Sequence, residues 1–174
     1  WRGEAMPKEL GSTDAALLLD VVKAILSHVF NERMEALTAS ANAPFISGGL
    51  GIGELCEGCE AVQAQVVFKD GDYANAIKAF YTEIERLRRY GVTESELERA
   101  KLKLISAAEQ AVEAAATREN AEFVWPILGH FFRNNYLLSP EMELQLTQAL
   151  CGQLPSVVFQ QIISQAITEE NFVA

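Results

Sequence analysis

Histidine is scarce in this chain of 174 residues: there are two, His28 and His130, far apart in the sequence. A zincin helix needs two histidines four residues apart with a glutamate between them, because positions i and i+4 place both imidazoles on one helical face. Neither that pattern nor its inverted form occurs. Basic residues are also few. Fourteen Lys and Arg stand against 24 Asp and Glu, a formal net charge of -10 with a pI near 4.7. A phosphate-backbone binder needs a basic stripe, so the balance argues against nucleic acid as a partner and against an anionic membrane surface. Arg86, Arg88 and Arg89 do cluster, but among Glu83 and Glu85 on a helical pattern, which reads as a salt-laced solvated face. No apolar run approaches the ~20 residues of a membrane span.

Cysteine is limited to three residues. Cys56-Glu-Gly-Cys59 is a CxxC, but a zinc ribbon needs a second pair, and only Cys151 remains. A thioredoxin-like site wants the motif at a helix start, where the dipole lowers a thiol pKa. Here it spans an expected hairpin turn, which favours a structural or incidental role, as a bridged or a reduced pair. The glycines of Gly48-Gly49-Leu50-Gly51-Ile52-Gly53 resemble a phosphate cradle only at a glance. No helix start and no Gly-Lys-Ser/Thr ending follows, so a bulge or a close backbone approach within a strand is the better reading. Ser47 lacks the Gly-x-Ser-x-Gly context of a nucleophile. His28 and Glu32 share a helical face, yet two ligands without a third fall short of a zinc site.

What is present is an ordinary globular composition, 49% hydrophobic and 22% charged, enough for one domain over residues 1–174 with its own core. Residues 1–7 read as the tail of a strand. Ser12, Thr13 and Asp14 offer a cap for a helix from Ala15 to about Leu37, with Leu18, Val21, Val22, Ile25, Leu26, Val29 and Phe30 on its apolar face. Asp20, Lys23, Ser27 and Asn31 fall on the expected exposed side. Two strands, Phe45–Cys56 and Glu60–Lys69, are joined by a tight turn at Glu57-Gly58. A helix from Tyr73 to Tyr90 carries the stripe Ala76, Ile77, Phe80, Ile84 and Leu87, and Gly91 is expected to close it in the left-handed position. Thr93-Glu94-Ser95-Glu96 is a capping box that opens a helix to about Ala116.

Residues 118–135 are helix-like, with Pro126 as a kink or boundary and an aromatic cluster of Phe123, Trp125, Phe131, Phe132 and Tyr136 suited to core packing or an interdomain contact. Ser139-Pro140-Glu141 starts a helix to about Leu150, and residues 155–167 supply another. Phe172-Val173-Ala174 reads as the start of a final strand, and it and Trp1 read as points where a longer chain continues. The order predicts an α+β domain: an antiparallel sheet with helices packed mainly on one face.

Several stretches together resemble the pitrilysin/insulinase family of zinc peptidases. Asn31-Glu32-Arg33-Met34-Glu35-Ala36-Leu37 is similar to the family's Asn-x-Arg-Leu-x-x-Leu helix end, and Ala43-Pro44-Phe45-Ile46 to its Pro-Pro-Phe strand opening. Glu83-Ile84-Glu85-Arg86 followed by Tyr90-Gly91-Val92-Thr93-Glu94-Ser95-Glu96-Leu97-Glu98-Arg99-Ala100-Lys101 resembles the signature Glu-x-x-Arg-x-x-x-x-Gly-Thr-x-x-Glu-Leu-x-Arg-Ala-Lys. Arg118-Glu119-Asn120-Ala121 fits as well. The resemblance implies a mitochondrial-processing-peptidase type of domain from a zinc metalloendopeptidase built of homologous domains around a closed chamber. In that family the inverted His-x-x-Glu-His site lies in the first domain of a half. The resemblance therefore implies the second, non-catalytic domain: no catalytic, cofactor-binding or metal residue here, zinc only in the parent, other domains of that chain and the peptide substrate as partners. On this reading the chain alone is inactive. Bacterial members are often exported, so a periplasmic or exported parent is implied, while the residues themselves point to no compartment. Two alternatives stand beside it: a scaffold subunit of the same fold without hydrolysis, and a thiol-redox module on Cys56 and Cys59.

Overall fold

The computed structural model describes residues 1–56, 58–168 and 170–173. Three strands, β1 (Arg2–Glu4), β2 (Ser47–Cys56) and β3 (Cys59–Val67), form one antiparallel sheet in the order β1-β3-β2. Six α-helices accompany it: α1 (Asp14–Thr38), α2 (Tyr73–Tyr90), α3 (Glu94–Ala114), α4 (Val124–Arg133), α5 (Pro140–Gln153) and α6 (Ser156–Ala166). This is the α+β architecture the sequence predicts. Among the described residues no helix is long and apolar enough to cross a membrane.

Helix α1 starts where Thr13 Oγ1 accepts the Ala16 amide at 3.3 Å, relieving one unpaired donor of the first turn. Its apolar face buries Val21, Val22, Ile25, Leu26, Val29, Phe30 and Met34 against the sheet and the other helices. Each full burial of such a side chain is worth about 1.5–3 kcal/mol. Phe30 and Phe45 both meet the Phe80 ring edge-on, at 5.6 and 6.0 Å between centroids. Helix α3 packs on α5 and α1, and α2 on α6.

The sequence-based face of α1 needs two corrections. Leu18 is exposed, and the expected solvent side is half-buried at Lys23, Ser27 and Asn31. The cause is the sheet: Lys23 pairs with Glu60 of β3, and the Asn31 side chain reaches the β2 backbone. On α2, Ile77 is likewise exposed, while Glu83 is buried and bonded to Arg86. Gly91 does have a positive φ of 68°, but with ψ of -141° it lies outside the left-handed helical region. Strand β2 begins at Ser47, since Phe45 turns into the core instead of pairing. Pro126 sits in the first turn of α4, where its missing N–H costs nothing, and the helix is not broken there.

The capping box is present in full, with Thr93 accepting from the Glu96 amide and Glu96 from the Thr93 amide. Ser139 caps α5 ahead of Pro140. The expected turn falls partly on Glu57, outside the described residues, and Gly58 takes a φ of 75°. A final strand is not formed at Phe172 and Val173, and Ala174 lies outside the described residues. One bond of the expected kind exists, from the Arg2 amide to the Asn171 carbonyl at 3.0 Å, and Trp1 stacks at 4.9 Å on Phe172.

Candidate functional site

The two faces of the sheet differ because β2 alternates glycine with apolar residues. Leu50 and Ile52 share the core face with Val62 and Ala64, their register partners. Gly48 is on that face too. A Cβ there would lie 2.9 Å from the Phe80 ring, so the close backbone approach expected of these glycines occurs here, while the register shift lies further on, between Glu54 and Cys56. On the opposite face stand Gly49, Gly51 and Gly53, paired with Gln65, Gln63 and Ala61. A Cβ at Gly51 or Gly53 would meet nothing within 4 Å.

Beside this bare face lies an open trough of about 500 Å³, bordered by Asn31, Gly49, Gly51, Gln63 and Gln65. Strand β2 is also a sheet edge, with β3 as its one strand neighbour among the described residues. Asn31 Oδ1 accepts the Leu50 amide at 3.0 Å and fixes the middle of that edge. Sequence reasoning missed Asn31 because its position on α1 falls on the polar side of the helical wheel. The usable signal was chemical: a short amide can satisfy a strand backbone that no other strand reaches. The stretch at Gly51 and Gly53, beyond Asn31, is free of side-chain bulk and accommodates an extended backbone, and Gln63 and Gln65 add both donors and acceptors.

A second feature is α4. It is amphipathic, with Val124, Trp125, Ile127, Leu128, Phe131 and Phe132 on one side and His130 and Arg133 on the other, yet none of its residues is buried: Trp125 is 78%, Phe131 76% and Phe132 62% exposed. The apolar stripe of such a helix ordinarily faces a core. Phe123, Trp125, Phe131 and Phe132 are thus not core. The C-terminal end of α4 is held by side-chain bonds. Asn134, in the left-handed conformation with φ of 55°, caps it and donates through Nδ2 to the Lys8 carbonyl at 3.1 Å. Arg133 pairs with Glu54 of β2. Tyr136 is half-buried and donates to Asp20 at 3.2 Å, and burial followed by the Asp20 charge pushes its phenol well up.

The remaining candidates are engaged elsewhere. Glu32 pairs with Arg99 at 3.0 Å and is not directed to His28. His130 Nδ1 lies 2.7 Å from the Asn135 carbonyl. Glu94, Glu96 and Glu98 go separate ways, to Ser156, Arg33 and Lys101. Ser47 is exposed at the start of β2. Among the described residues no group of three or more His, Cys, Asp or Glu converges for a metal ion. Cys56 is exposed and Cys59 buried, both free and paired across the hairpin. Partial desolvation, then the neighbouring Cys59, raises the Cys56 thiol above its ordinary value.

No model of a known protein family matches this sequence, and no curated protein matches it. Solved structures do. The first half of the periplasmic protease PqqL from Escherichia coli superposes with a TM-score of 0.86 at 18% identity, over 95% of this chain and 35% of that one. The whole PqqL protease matches equally well over 18% of its length. A predicted insulinase family protease from Yersinia pestis matches with a TM-score of 0.76 at 13% identity, again over 95% of this chain and 35% of that one. The chain therefore has the fold of a domain-sized part of these proteases and spans well under two thirds of each.

Proposed function

We propose that this chain is a non-catalytic domain of a zinc-dependent peptidase, lining the chamber that encloses the peptide. The observation that carries the reading is the bare apolar surface of α4 on a domain whose fold fills about a third, 35%, of a solved half-protease. An apolar helix face left in water by its own domain calls for a cover. The occupant that fits is another domain of the same protease chain, since the structures with this fold carry the rest of their length beyond it. The glycine face of β2, beside an edge that no further described strand covers, then supplies a wall along which an extended peptide lies.

The residues present do not suit a hydrolytic zinc ion. Among the described residues His28 and His130 are not grouped with other donors, Glu32 is held by Arg99, and His130 is taken up by a backbone carbonyl. A zinc site needs three protein ligands around an open position, so in this reading the metal and its activated water belong to another domain. The test is an assay of the purified chain with added zinc and a mixture of fluorogenic peptides. No turnover is expected. Chelator-sensitive cleavage by the chain alone overturns the proposal.

A further inference from the structure

The β2–β3 hairpin ends in a pair of thiols with no part in the peptide-lining surface. Cys56 and Cys59 are direct register partners, and a shift in the ladder between Glu54 and Cys56 turns both onto the same side of the sheet. Opposed residues of an antiparallel pair have Cα atoms about 4.5–5.5 Å apart, within the roughly 4.4–6.8 Å that a disulfide spans. Gly58, between them, holds a φ of 75° and permits the tight reversal that brings the strands together. One thiol faces solvent while the other is 7% exposed, and Cys151, 2% exposed in α5, belongs to a different part of the fold.

We propose that Cys56 and Cys59 are a redox modification site, a dithiol that closes to a disulfide by exchange with a low-molecular-weight disulfide. Cys56 is the attacking residue because it is the reachable one. Its thiolate, having released a proton to water, attacks one sulfur of the small disulfide. That S–S bond breaks, and the leaving thiolate takes up a proton. The Cys59 thiolate then attacks Cys56 Sγ, which expels the second small thiol. The protein pair loses two electrons and two protons, and the small disulfide gains them as two thiols. The closed ring staples the hairpin tip beside Glu54, the partner of Arg133. Because the Cys56 thiol is raised, closure quickens as the pH rises.

The experiment treats the whole chain with oxidised glutathione at mildly alkaline pH and follows intact mass, with peptide mapping to locate the bond. The wild type should lose two hydrogens without gaining an adduct, and the bond should map to Cys56–Cys59 and reverse with dithiothreitol. Cys59→Ser should trap one glutathione on Cys56, and Cys56→Ser should remain unmodified at Cys59. A wild type that keeps a glutathione adduct, joins two chains through Cys56, or stays reduced with Cys59→Ser also unreactive overturns the proposal. These outcomes are independent of any peptidase assay.

Discussion

Arg33 and Glu96, 63 residues apart in sequence, meet in a two-pronged ion pair, with Nε to Oε1 at 2.7 Å and Nη2 to Oε2 at 2.8 Å. The pair ties the end of α1 to the first turn of α3. Arg33 also donates to the Gly91 carbonyl at 3.0 Å, and Glu96 takes the Thr93 amide at 2.9 Å. One cluster thus joins a helix end, a helix start and the turn between α2 and α3. Bidentate pairs of this kind are stronger and more specific than single bonds.

Chiefly the Arg33 bonds, and then those from Thr93, hold the Glu96 carboxyl at about 2 against the cost of desolvation. A carboxyl lowered on folding stabilises the native state above its unfolded value, near 4.5, and that contribution is lost as the pH falls from there towards 2. With allowance for solvent screening, the effect is about 1–2 kcal/mol. Glu96→Gln should lose that much at pH 7 in urea unfolding and show a flatter acid limb than the wild type. Superimposable acid limbs would remove Glu96 as their source.

Asn31 holds the Leu50 amide, so its loss should be felt at one backbone position. Asn31→Ala is expected to cost about 1 kcal/mol and to release the Leu50 amide to fast hydrogen exchange. Asn31→Asp keeps an acceptor and should keep the protection. Unchanged exchange at Leu50 in Asn31→Ala would show that the edge is fixed by something else.

Exposed and buried aromatics should separate cleanly. Trp125→Glu and Phe131→Glu remove side chains from water and not from the core, so stability should move by no more than about 0.5 kcal/mol. Phe159→Ala, at a position 0% exposed, should cost about 3–5 kcal/mol. If the α4 substitutions unfold the chain as Phe159→Ala does, then α4 is packed in solution and the docking surface is refuted.

Two glycines make a matched comparison. At Gly91, φ is 68° and an added Cβ would lie 3.0 Å from that of Gln160, so Gly91→Ala should destabilise by about 1–3 kcal/mol. At Gly51 there is space, and Gly51→Leu should leave stability nearly unchanged while filling the trough. If an extended peptide lies along β2, its titration should shift backbone amide resonances of the wild type and not of Gly51→Leu. Equal shifts in both would place the peptide elsewhere.

The helices were legible because their signals are local. Thr93 and Glu96 announce a helix start three residues apart, and Ser139-Pro140 does the same for α5. The core face of α1 followed from periodicity, since one stripe meets one sheet. What the pattern missed depended on distant neighbours. Lys23 and Asn31 were assigned to solvent because nothing in the helix shows that Glu60 and Leu50 come to meet them. The exposure of α4 was open for the opposite reason: a helix rich in Trp and Phe reads equally as core or as a contact surface, and the packed fold shows that among the described residues none buries it. The glycine face of β2 was legible as a strand with close approach, but its openness depends on what lies opposite each glycine.

The contact between Trp1 and Phe172, with the Arg2 amide on the Asn171 carbonyl, brings the start and the finish of this domain to one place. Entry and exit that coincide make the fold close to a loop, and a short bridge there could be exchanged for a cut at the exposed Gly71 turn. A circularly permuted chain of this kind should still reach the same arrangement of sheet and helices, because the packing is indifferent to where along the ring reading begins.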